Sequence, residues 1–394
     1  MQEQFLRTQM LLGTEALARL QKARVAVFGV GGYAANYPYT IGVHPEANVK
    51  LVAAVDPFNK NCDMCPVYDT AEELYANHQP DLVCVATPIH LHEEQVVEAF
   101  RHGCHVAMEK PMAGDMASVR SILAARDEAG KMLSVGFNMC ADPVVRAAKA
   151  DAKAGLFGKP VSFKTIVLWP RGHAYYARGG GWAGKKYAKN GAPLFDSVLS
   201  NATAHYLMNQ LFFLDEPLET LDCRTFRANP IETYDTAVVK GRTASGVDAF
   251  IAVTHASDPD KKQNPYFIYE YENATLIGGG IGMEDAYLTA HFKDGTVKEY
   301  GREGQRHMGP FWSMIGALRG TDEIACTGEQ GMLHVDTIEK MRGIEPDSTP
   351  FPASWLAEKN EYTWVPGLAE KMWECFNTTT LPDWDLTADR LGEE

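Results

Sequence analysis

The sequence lacks any long apolar segment. The most suggestive stretch covers residues 206–214, and Asn209 and Gln210 interrupt it. A membrane-spanning helix needs about 18 or more consecutive apolar residues, so the sequence predicts no membrane association. Charged residues are spread through the N-terminus, which excludes the uncharged hydrophobic core of a secretory signal: Glu3, Arg7, Glu15 and Arg19.

Positive charge is also scarce. The 51 acidic residues outnumber the 37 lysines and arginines, which gives a formal net charge of −14, and no basic run occurs. Such a chain repels phosphate backbones and anionic membranes at long range. We therefore expect neither nucleic acid nor a membrane as a partner.

A disulfide framework and a zinc motif are missing as well. The eight cysteines are scattered, mostly inside apolar strands as at Cys84, which favours free thiols in a reducing cytosol. Cys62 and Cys65 form the only C-x-x-C pair, without a second pair or nearby paired histidines. A zinc site needs four ligands, or three and water, so no metal is predicted. The expected location is cytoplasmic.

The first part of the chain alternates between strand and helix. A capping box of Thr70 and Glu73 marks one helix start, and helical stretches also begin near Gly32, Glu93 and Met116. Apolar runs typical of buried parallel strands occur at residues 25–28, 49–55, 82–86, 105–108 and 133–137. This order predicts a doubly wound α/β domain of the Rossmann type over residues 1–150, with residues 1–23 as a leader helix.

The pattern changes after Gly155. Half-exposed strands are predicted at residues 161–169, 236–240, 248–255, 266–272 and 286–293, and helices at 201–214 and 331–341. Residues 293–296, Lys-Asp-Gly-Thr, predict a tight hairpin and therefore antiparallel pairing. We expect an α+β domain with an open, mainly antiparallel sheet over residues 151–394, for substrate binding and oligomerisation.

A glycine-rich turn follows the first strand and matches G-x-G-x-x-A. Gly29 permits a tight turn, Gly31 lets the backbone approach a pyrophosphate, and Ala34 allows close helix–strand packing. Asp56 ends the second strand 27 residues after Gly29, where a carboxylate accepts both ribose hydroxyls of NAD and repels a 2′-phosphate. Lys60 leaves NADP open, so NAD is the predicted cofactor and NADP the alternative. The cofactor candidates from this turn are Gly29, Gly31, Gly32, Tyr33, Ala34 and Asp56.

Two further strand ends carry polar groups to one edge of the predicted sheet. One strand ends in Ala86-Thr87-Pro88 and the next in Glu109-Lys110-Pro111. The segment 81–111 closely resembles the signature of the Gfo/Idh/MocA (glucose-fructose oxidoreductase / inositol dehydrogenase) family, and the match runs from about residue 24 to 341. The resemblance implies that the Thr-Pro turn lies against the dinucleotide and that Lys110 reaches both cofactor and substrate. It adds as cofactor candidates Ala86, Thr87, Pro88, His90, Glu109, Lys110 and Asn138, whereas His92 is predicted at the surface of a helix start.

The resemblance also indicates a proton-transfer residue. Family members show glycines and then Asp-x-x-x-His, with His as general acid/base and Asp orienting it. Here His205 matches the histidine, Asn201 stands where Asp is usual, and Asp196 lies nine residues before His205. Asn201 is predicted one turn before His205 on the same helical face. Which of Asn201 and Asp196 orients His205 stays open, and Lys110, His205, Asn201 and Asp196 are the catalytic candidates.

A loop over residues 169–186 combines aromatic rings, cations and glycines. Such a mixture packs on sugar C–H faces while it hydrogen-bonds hydroxyl groups. It gives as substrate candidates Trp169, Arg171, His173, Tyr175, Tyr176 and Trp182.

Together these features predict an NAD-dependent dehydrogenase that oxidises a secondary hydroxyl of a sugar, glycoside or cyclitol by hydride transfer to nicotinamide. A homo-oligomer is expected, since relatives usually associate through the open sheet. Two alternatives are a redox-neutral glycosidase with tightly bound NAD and a non-catalytic dinucleotide or sugar sensor. A third is an adenylating enzyme, because residues 4–35 resemble the entry to the ubiquitin-activating-enzyme-like family.

Overall fold

The computed structural model describes residues 23–279, 287–304 and 307–392. The packing of the backbone divides the chain into two compact units. The first combines residues up to Met112 with 117–141 and 306–328, and the second combines 113–116 with 142–305 and 329–394. No helix in the described ranges is long and apolar enough to cross a membrane. The predicted leader helix, residues 1–23, lies almost entirely outside the described residues.

The first unit contains a six-stranded parallel sheet with the strand order β3-β2-β1-β4-β5-β6. This order reverses direction between β1 and β4, where doubly wound sheets bind ligands. The strands are buried apolar runs, as predicted, apart from the short β3. Their bounds are β1 Ala23–Phe28, β2 Val49–Val55, β3 Val67–Tyr68, β4 Leu82–Val85, β5 His105–Met108 and β6 Leu133–Val135.

Helices connect these strands. Thr70 caps the second helix by accepting the Glu73 N–H, which confirms the predicted helix start. Short 3-10 turns precede the first and third helices, at Gly32–Ala35 and Ile89–Leu91. The helices are α1 Asn36–Val43, α2 Ala71–Asn77, α3 His92–Arg101 and α4 Met116–Ala129; α8, Gly309–Leu318, returns to this unit late in the chain.

The second unit contains a nine-stranded sheet in the order β14-β13-β12-β11-β7-β10-β9-β8-β15. Two of its pairs, β7 with β10 and β8 with β15, are parallel, and the others are antiparallel. The predicted hairpin at Gly295, with φ of +87°, joins β13 to β14. The bounds are β7 Pro160–Leu168, β8 Leu218–Arg227, β9 Thr236–Thr243, β10 Asp248–Thr254, β11 Gln263–Tyr271, β12 Ala274–Gly279, β13 Tyr287–Phe292, β14 Val297–Arg302 and β15 Thr349–Pro350.

The helices of the second unit pack on this sheet. On one face Gln210 donates to the carbonyl oxygens of Phe163 and Phe250, which fixes its helix across β7 and β10. The helices are α5 Pro143–Lys153, α6 His173–Ala177, α7 Ala204–Leu214, α9 Gly328–Ile344 and α10 Leu368–Thr378, and a hairpin joins β16 Ala357–Lys359 to β17 Tyr362–Trp364.

The end of the chain covers the opposite face of the nine-stranded sheet. Residues 351–376 supply buried side chains to the same core as β7, β9 and β10, and the following segment adds Trp384 and Leu391. The Trp384 ring lies 4.9 Å from that of Phe226, and Trp355 Nε1 donates to Ala388 O. The sheet is open at its edges, but this central part of its face is occupied by the chain itself.

Candidate functional site

The glycine-rich turn lies at the carboxyl end of β1 and has the geometry that a dinucleotide requires. Gly29 has a φ of +88°, and a Cβ atom there would lie 3.2 Å from Ala86 O. Gly31 is similarly restricted, since its Cβ would lie 3.2 Å from Asn59 Nδ2. Ala34 is 1% exposed, so the start of the helical segment is closely packed at this residue. A larger side chain at Gly29 would therefore strain the turn and fill the cradle.

Asp56 is placed beside this turn by three backbone donors. Its Oδ2 accepts the Val30 N–H over 3.1 Å, and its Oδ1 accepts those of Phe58 and Asn59. Lys60 Nζ lies 2.7 Å from Asp69 Oδ1 and also donates to Asp56 O. Lys60 is thus already paired with a carboxylate, which disfavours a role in binding a 2′-phosphate.

Glu109, Tyr37 and Tyr33 form a polar group at the same edge of the sheet. Tyr37 Oη donates to Glu109 Oε1 over 3.0 Å, and Asn138 Nδ2 makes a longer contact of 3.5 Å with Tyr33 Oη. Burial raises the pKa of Glu109 to about 7, although the Lys110 charge and the Tyr37 hydrogen bond oppose the shift. Half-buried Lys110 follows Glu109 directly. The predicted residues of this edge are therefore brought together within the first unit.

The prediction that His92 lies at the surface is wrong. The residue begins α3, as expected, but it is 1% exposed and does not lie at the surface. Its Nε2 lies 2.9 Å from Thr87 O, and its Nδ1 lies 3.0 Å from Pro111 O. The ring therefore joins the two loops that carry the Thr-Pro turn and Lys110. His90, the predicted cofactor contact, is half-buried, and burial lowers its pKa.

In the second unit the structure changes the relation between Asn201 and His205. Residues Val198–Ala202 form a π-helical turn, and α7 begins only at Ala204. The two residues therefore do not share one regular helix, and the predicted one-turn spacing is wrong because the π turn adds a residue to the repeat. His205 is half-buried, whereas the rest of α7 is buried. Its Nδ1 atom is buried.

Asp196 is 2% exposed and is held by several groups. Its Oδ2 accepts the Gly184 N–H over 2.7 Å, and its Oδ1 accepts Asn201 Nδ2 over 2.6 Å. The guanidinium of Arg178 lies 3.7 Å away. Asp196 and Asn201, which the sequence offers as alternatives, form one pair, and this pair ties the 169–186 loop to the turn before His205.

The loop contains a row of alternating rings and cations, which we call the cation–aromatic stack: Trp169, Arg171, Tyr175, Arg178 and Trp182. The Arg171 guanidinium lies 5.3 Å from the Trp169 ring and 5.2 Å from that of Tyr175. Arg178 lies 3.5 Å from the Tyr175 ring and 4.8 Å from that of Trp182. Four of the predicted substrate residues are therefore brought together, and Arg178 is added to them.

Two other loop residues have different surroundings. His173 Nε2 lies 2.9 Å from Thr363 Oγ1 in β17, so its ring anchors the loop to the hairpin. Tyr176 Oη is buried and has no hydrogen-bond partner among the described residues. The substrate roles predicted for both stay predictions.

His255 is a neighbour of the stack that the sequence pattern did not reveal, since nothing in its apolar strand distinguishes it from a core residue. It is 2% exposed, and its Nδ1 lies 2.7 Å from Trp169 O. Burial, together with the charges of Arg171 and Arg178, lowers its pKa to about 3. His255 is therefore neutral at physiological pH.

Within the described ranges no cluster of three or more His, Cys, Asp or Glu side chains has the arrangement of a metal site. Cys62 Sγ and Cys65 Sγ lie 3.7 Å apart, and all eight cysteines are free thiols.

Comparison with known proteins agrees with the geometry of the first unit. Residues 23–137 match the model of the oxidoreductase family with an NAD-binding Rossmann fold, GFO_IDH_MocA. The glycine cradle and Asp56 fit this cofactor, so these residues form an NAD-binding Rossmann unit.

The chain is also similar to several whole enzymes. It is 26% identical over 280 residues to 1,5-anhydro-D-fructose reductase of Ensifer adhaerens. This alignment covers 68% of this chain and 78% of the relative. It is 25% identical over 242 residues to inositol 2-dehydrogenase of Rubrobacter xylanophilus, or 57% of this chain and 63% of that enzyme.

The fold is similar to that of a solved dehydrogenase. The WlbA dehydrogenase of Bordetella pertussis, in complex with NADH and UDP-GlcNAcA, aligns with a TM-score of 0.68 and 23% identity. The alignment covers 83% of this chain and 97% of WlbA. At this identity the likeness concerns the fold alone.

Proposed function

We propose that this chain, whose residues 23–137 match the Gfo/Idh/MocA oxidoreductase family, oxidises a secondary hydroxyl group of a sugar, glycoside or cyclitol. The observation that carries the proposal is the alignment of successive strand ends at one edge of the parallel sheet. Backbone hydrogen bonds of 2.8–3.0 Å align them: Gly29 N–H to Val55 O, Ala86 N–H to Phe28 O, Glu109 N–H to Val85 O and Gly136 N–H to Met108 O. Lys110 thus follows a strand that ends at the edge of the glycine turn.

The proposed chemistry needs one group that favours the alkoxide and one that takes the proton. NAD, when bound, accepts the hydrogen that leaves the carbinol carbon. The Lys110 ammonium donates to the substrate hydroxyl and stabilises developing negative charge on its oxygen. The His205 imidazole accepts the hydroxyl proton, and its half-buried position at the start of α7 supports that role. Asp196 and Asn201 position the turn that precedes it.

A substrate panel tests the proposal. Purified protein is mixed with NAD and with neutral and acidic sugars, glycosides and inositols, and NADH formation is followed by absorbance. We expect NADH with at least one member. Release of free sugar from a glycoside without net NADH, from protein that retains NAD during purification, would instead assign the redox-neutral glycosidase. Binding of NAD and sugars without either reaction would assign the sensor.

Two properties of the whole molecule complete the proposal. We propose a cytoplasmic location, supported by eight free thiols, most of them buried. We also propose a homo-oligomer, which light scattering tests directly. The outer strands of the second sheet offer surface for it, since Tyr287 is 47% exposed and Val297 54% exposed.

A further inference from the structure

The cation–aromatic stack holds two guanidinium groups in fixed positions. The Tyr175 ring lies 5.2 Å from the Arg171 guanidinium and 3.5 Å from that of Arg178. Cation–π contacts of this kind restrict an arginine side chain, so less conformational freedom is lost when it binds a ligand. The stack is therefore a preorganised pair of cations.

Most N–H groups of the Arg171 side chain make no hydrogen bond to the described residues. Its side chain donates only to Pro170 O, over 3.4 Å, and no carboxylate in the described part of the chain lies within 4.0 Å of it. The remaining N–H groups are not among the buried, unpaired atoms, so they reach solvent. A half-buried guanidinium with free, accessible donors is a ready partner for a carboxylate or a phosphate.

Arg178 is only partly neutralised. Its nearest carboxylate, Asp196, lies 3.7 Å away and already accepts hydrogen bonds from Gly184 and Asn201. The stack with Asp196 thus holds two positive charges and one negative charge. His255, beside Tyr175 at 5.5 Å, adds no further charge because it is neutral. An excess of positive charge here stands out in a chain with a net charge of −14.

The stack is connected to the proposed proton-transfer residue. The Trp169 ring contacts the Tyr206 ring edge-to-face at 5.4 Å, and Tyr206 follows His205 in α7. At the other end Asp196 links Arg178 to Asn201. The stack therefore packs against the helix that carries His205.

We propose that the substrate is an acidic sugar, whose carboxylate or phosphate group is bound by Arg171 within the cation–aromatic stack. Trp169, whose ring borders Arg171, then packs against a C–H face of the sugar. This inference rests on the proposed sugar oxidation and specifies the substrate class. Arg171 is the residue that determines the specificity.

Equilibrium binding tests the inference without requiring turnover. The full chain is saturated with NAD and titrated calorimetrically with D-glucuronate, D-glucose 6-phosphate and D-glucose. We expect at least one acidic probe to bind about tenfold or more tightly than glucose, since hydrogen bonds to charged groups typically contribute this much. Tighter binding of glucuronate assigns a carboxylate, and tighter binding of glucose 6-phosphate assigns a phosphate.

Substitutions test whether Arg171 causes the preference for the acidic probe. Arg171→Gln should abolish the preference for the acidic probe while glucose affinity stays within about twofold, and Arg171→Lys should keep part of the preference because it keeps the charge. Arg242→Gln is the matched control, since Arg242 is exposed in β9 and pairs with Asp248. Equal binding of all three probes, no binding of any probe, or an unchanged preference in Arg171→Gln would overturn the inference. Failure of the proposed oxidation differs: acidic probes would bind through Arg171, but no member of the panel would yield NADH.

Discussion

Asn201 Nδ2 donates a 2.6 Å hydrogen bond to Asp196 Oδ1. The carboxylate is 2% exposed and also accepts the Gly184 N–H, so the amide of Asn201 is a second donor to it. The asparagine at this position therefore has a physical reason. A second carboxylate would face the first across a hydrogen-bond distance in a buried site.

The first prediction therefore concerns Asn201→Asp. Two adjacent carboxylates raise the pKa of one carboxyl group in the folded state above its unfolded value. The stability that this carboxyl group contributes is then present at low pH and is lost as pH rises through its raised pKa. We expect a loss on the order of 2 kcal/mol at pH 8, shrinking toward pH 4, in urea unfolding at both values.

The double variant Asp196→Asn with Asn201→Asp is the control, because it restores one amide and one carboxylate in reversed order. It should be more stable at pH 8 than Asn201→Asp alone. Equal stabilities of the two would show that repulsion between the carboxylates is not the cause.

Asp56→Ala should weaken NAD binding by about tenfold or more, because the ribose hydroxyls lose a charged acceptor. It should also relax the discrimination against NADP, since the negative charge that repels a 2′-phosphate is removed. Equilibrium binding of both dinucleotides measures this, with Asp63→Ala, an exposed residue of the same loop, as the control. A wild-type protein that already prefers NADP would contradict the assignment of Asp56.

Lys110→Ala and His205→Ala should each reduce turnover by about 10²-fold or more, the usual contribution of positioned proton transfer and charge stabilisation. NAD affinity should barely change in His205→Ala. Steady-state rates and NAD titrations measure both effects, and His291→Ala, an exposed histidine in β13, is the control. Turnover of His205→Ala within a few-fold of wild type would remove His205 from the mechanism.

His92→Phe should weaken NAD binding even though His92 is a positioning residue. The phenyl ring fills a similar volume but cannot hydrogen-bond Thr87 O and Pro111 O, so the two loops lose their connection. We expect a rise of about tenfold in the dissociation constant for NAD. His90→Phe is the neighbouring control, and an effect confined to that variant would assign the role to His90 instead.

Glu303 makes the stability of the second unit depend on pH. It is 2% exposed, and its carboxylate oxygens have no hydrogen-bond partner in the described ranges. Burial, with the nearby charge of Asp142, raises its pKa to about 8. Between pH ~4.5 and about 8 the folded state therefore binds a proton that the unfolded state releases.

Stability should consequently fall as pH rises through that range, and Glu303→Gln should remove this slope. Urea unfolding at pH 5, 6.5 and 8 measures it, with Glu299→Gln, exposed in β14, as the control. A wild-type slope that persists in Glu303→Gln would assign the dependence to another group.

The sequence predicted the parallel sheet well because its strands are short apolar runs between clear helix signals. It missed β8 and β12, whose alternation of polar and apolar residues is weak. The π turn before α7 could not be predicted, since the spacing of Asn201 and His205 fits a regular helix equally well. His92 was misassigned because burial of a polar helix-start residue depends on the carbonyl groups of two distant loops.

The end of the chain had no readable pattern, yet it supplies half of a core. Its aromatic residues contact strands of the nine-stranded sheet as well as one another, and contacts with distant strands leave no signal in the local sequence. Phe351, for example, stacks on Phe226 at 5.1 Å.

This arrangement restricts how two copies can associate. Residues 351–391 cover β7, β9 and β10 of the same chain. A second copy of the protein therefore cannot bind to that part of the sheet. A second copy can contact only the parts of the sheet that residues 351–391 leave uncovered, such as the outer strands β12 to β14. In the proposed homo-oligomer the C-terminal segment thus restricts the position of the subunit contact, in addition to stabilising one subunit.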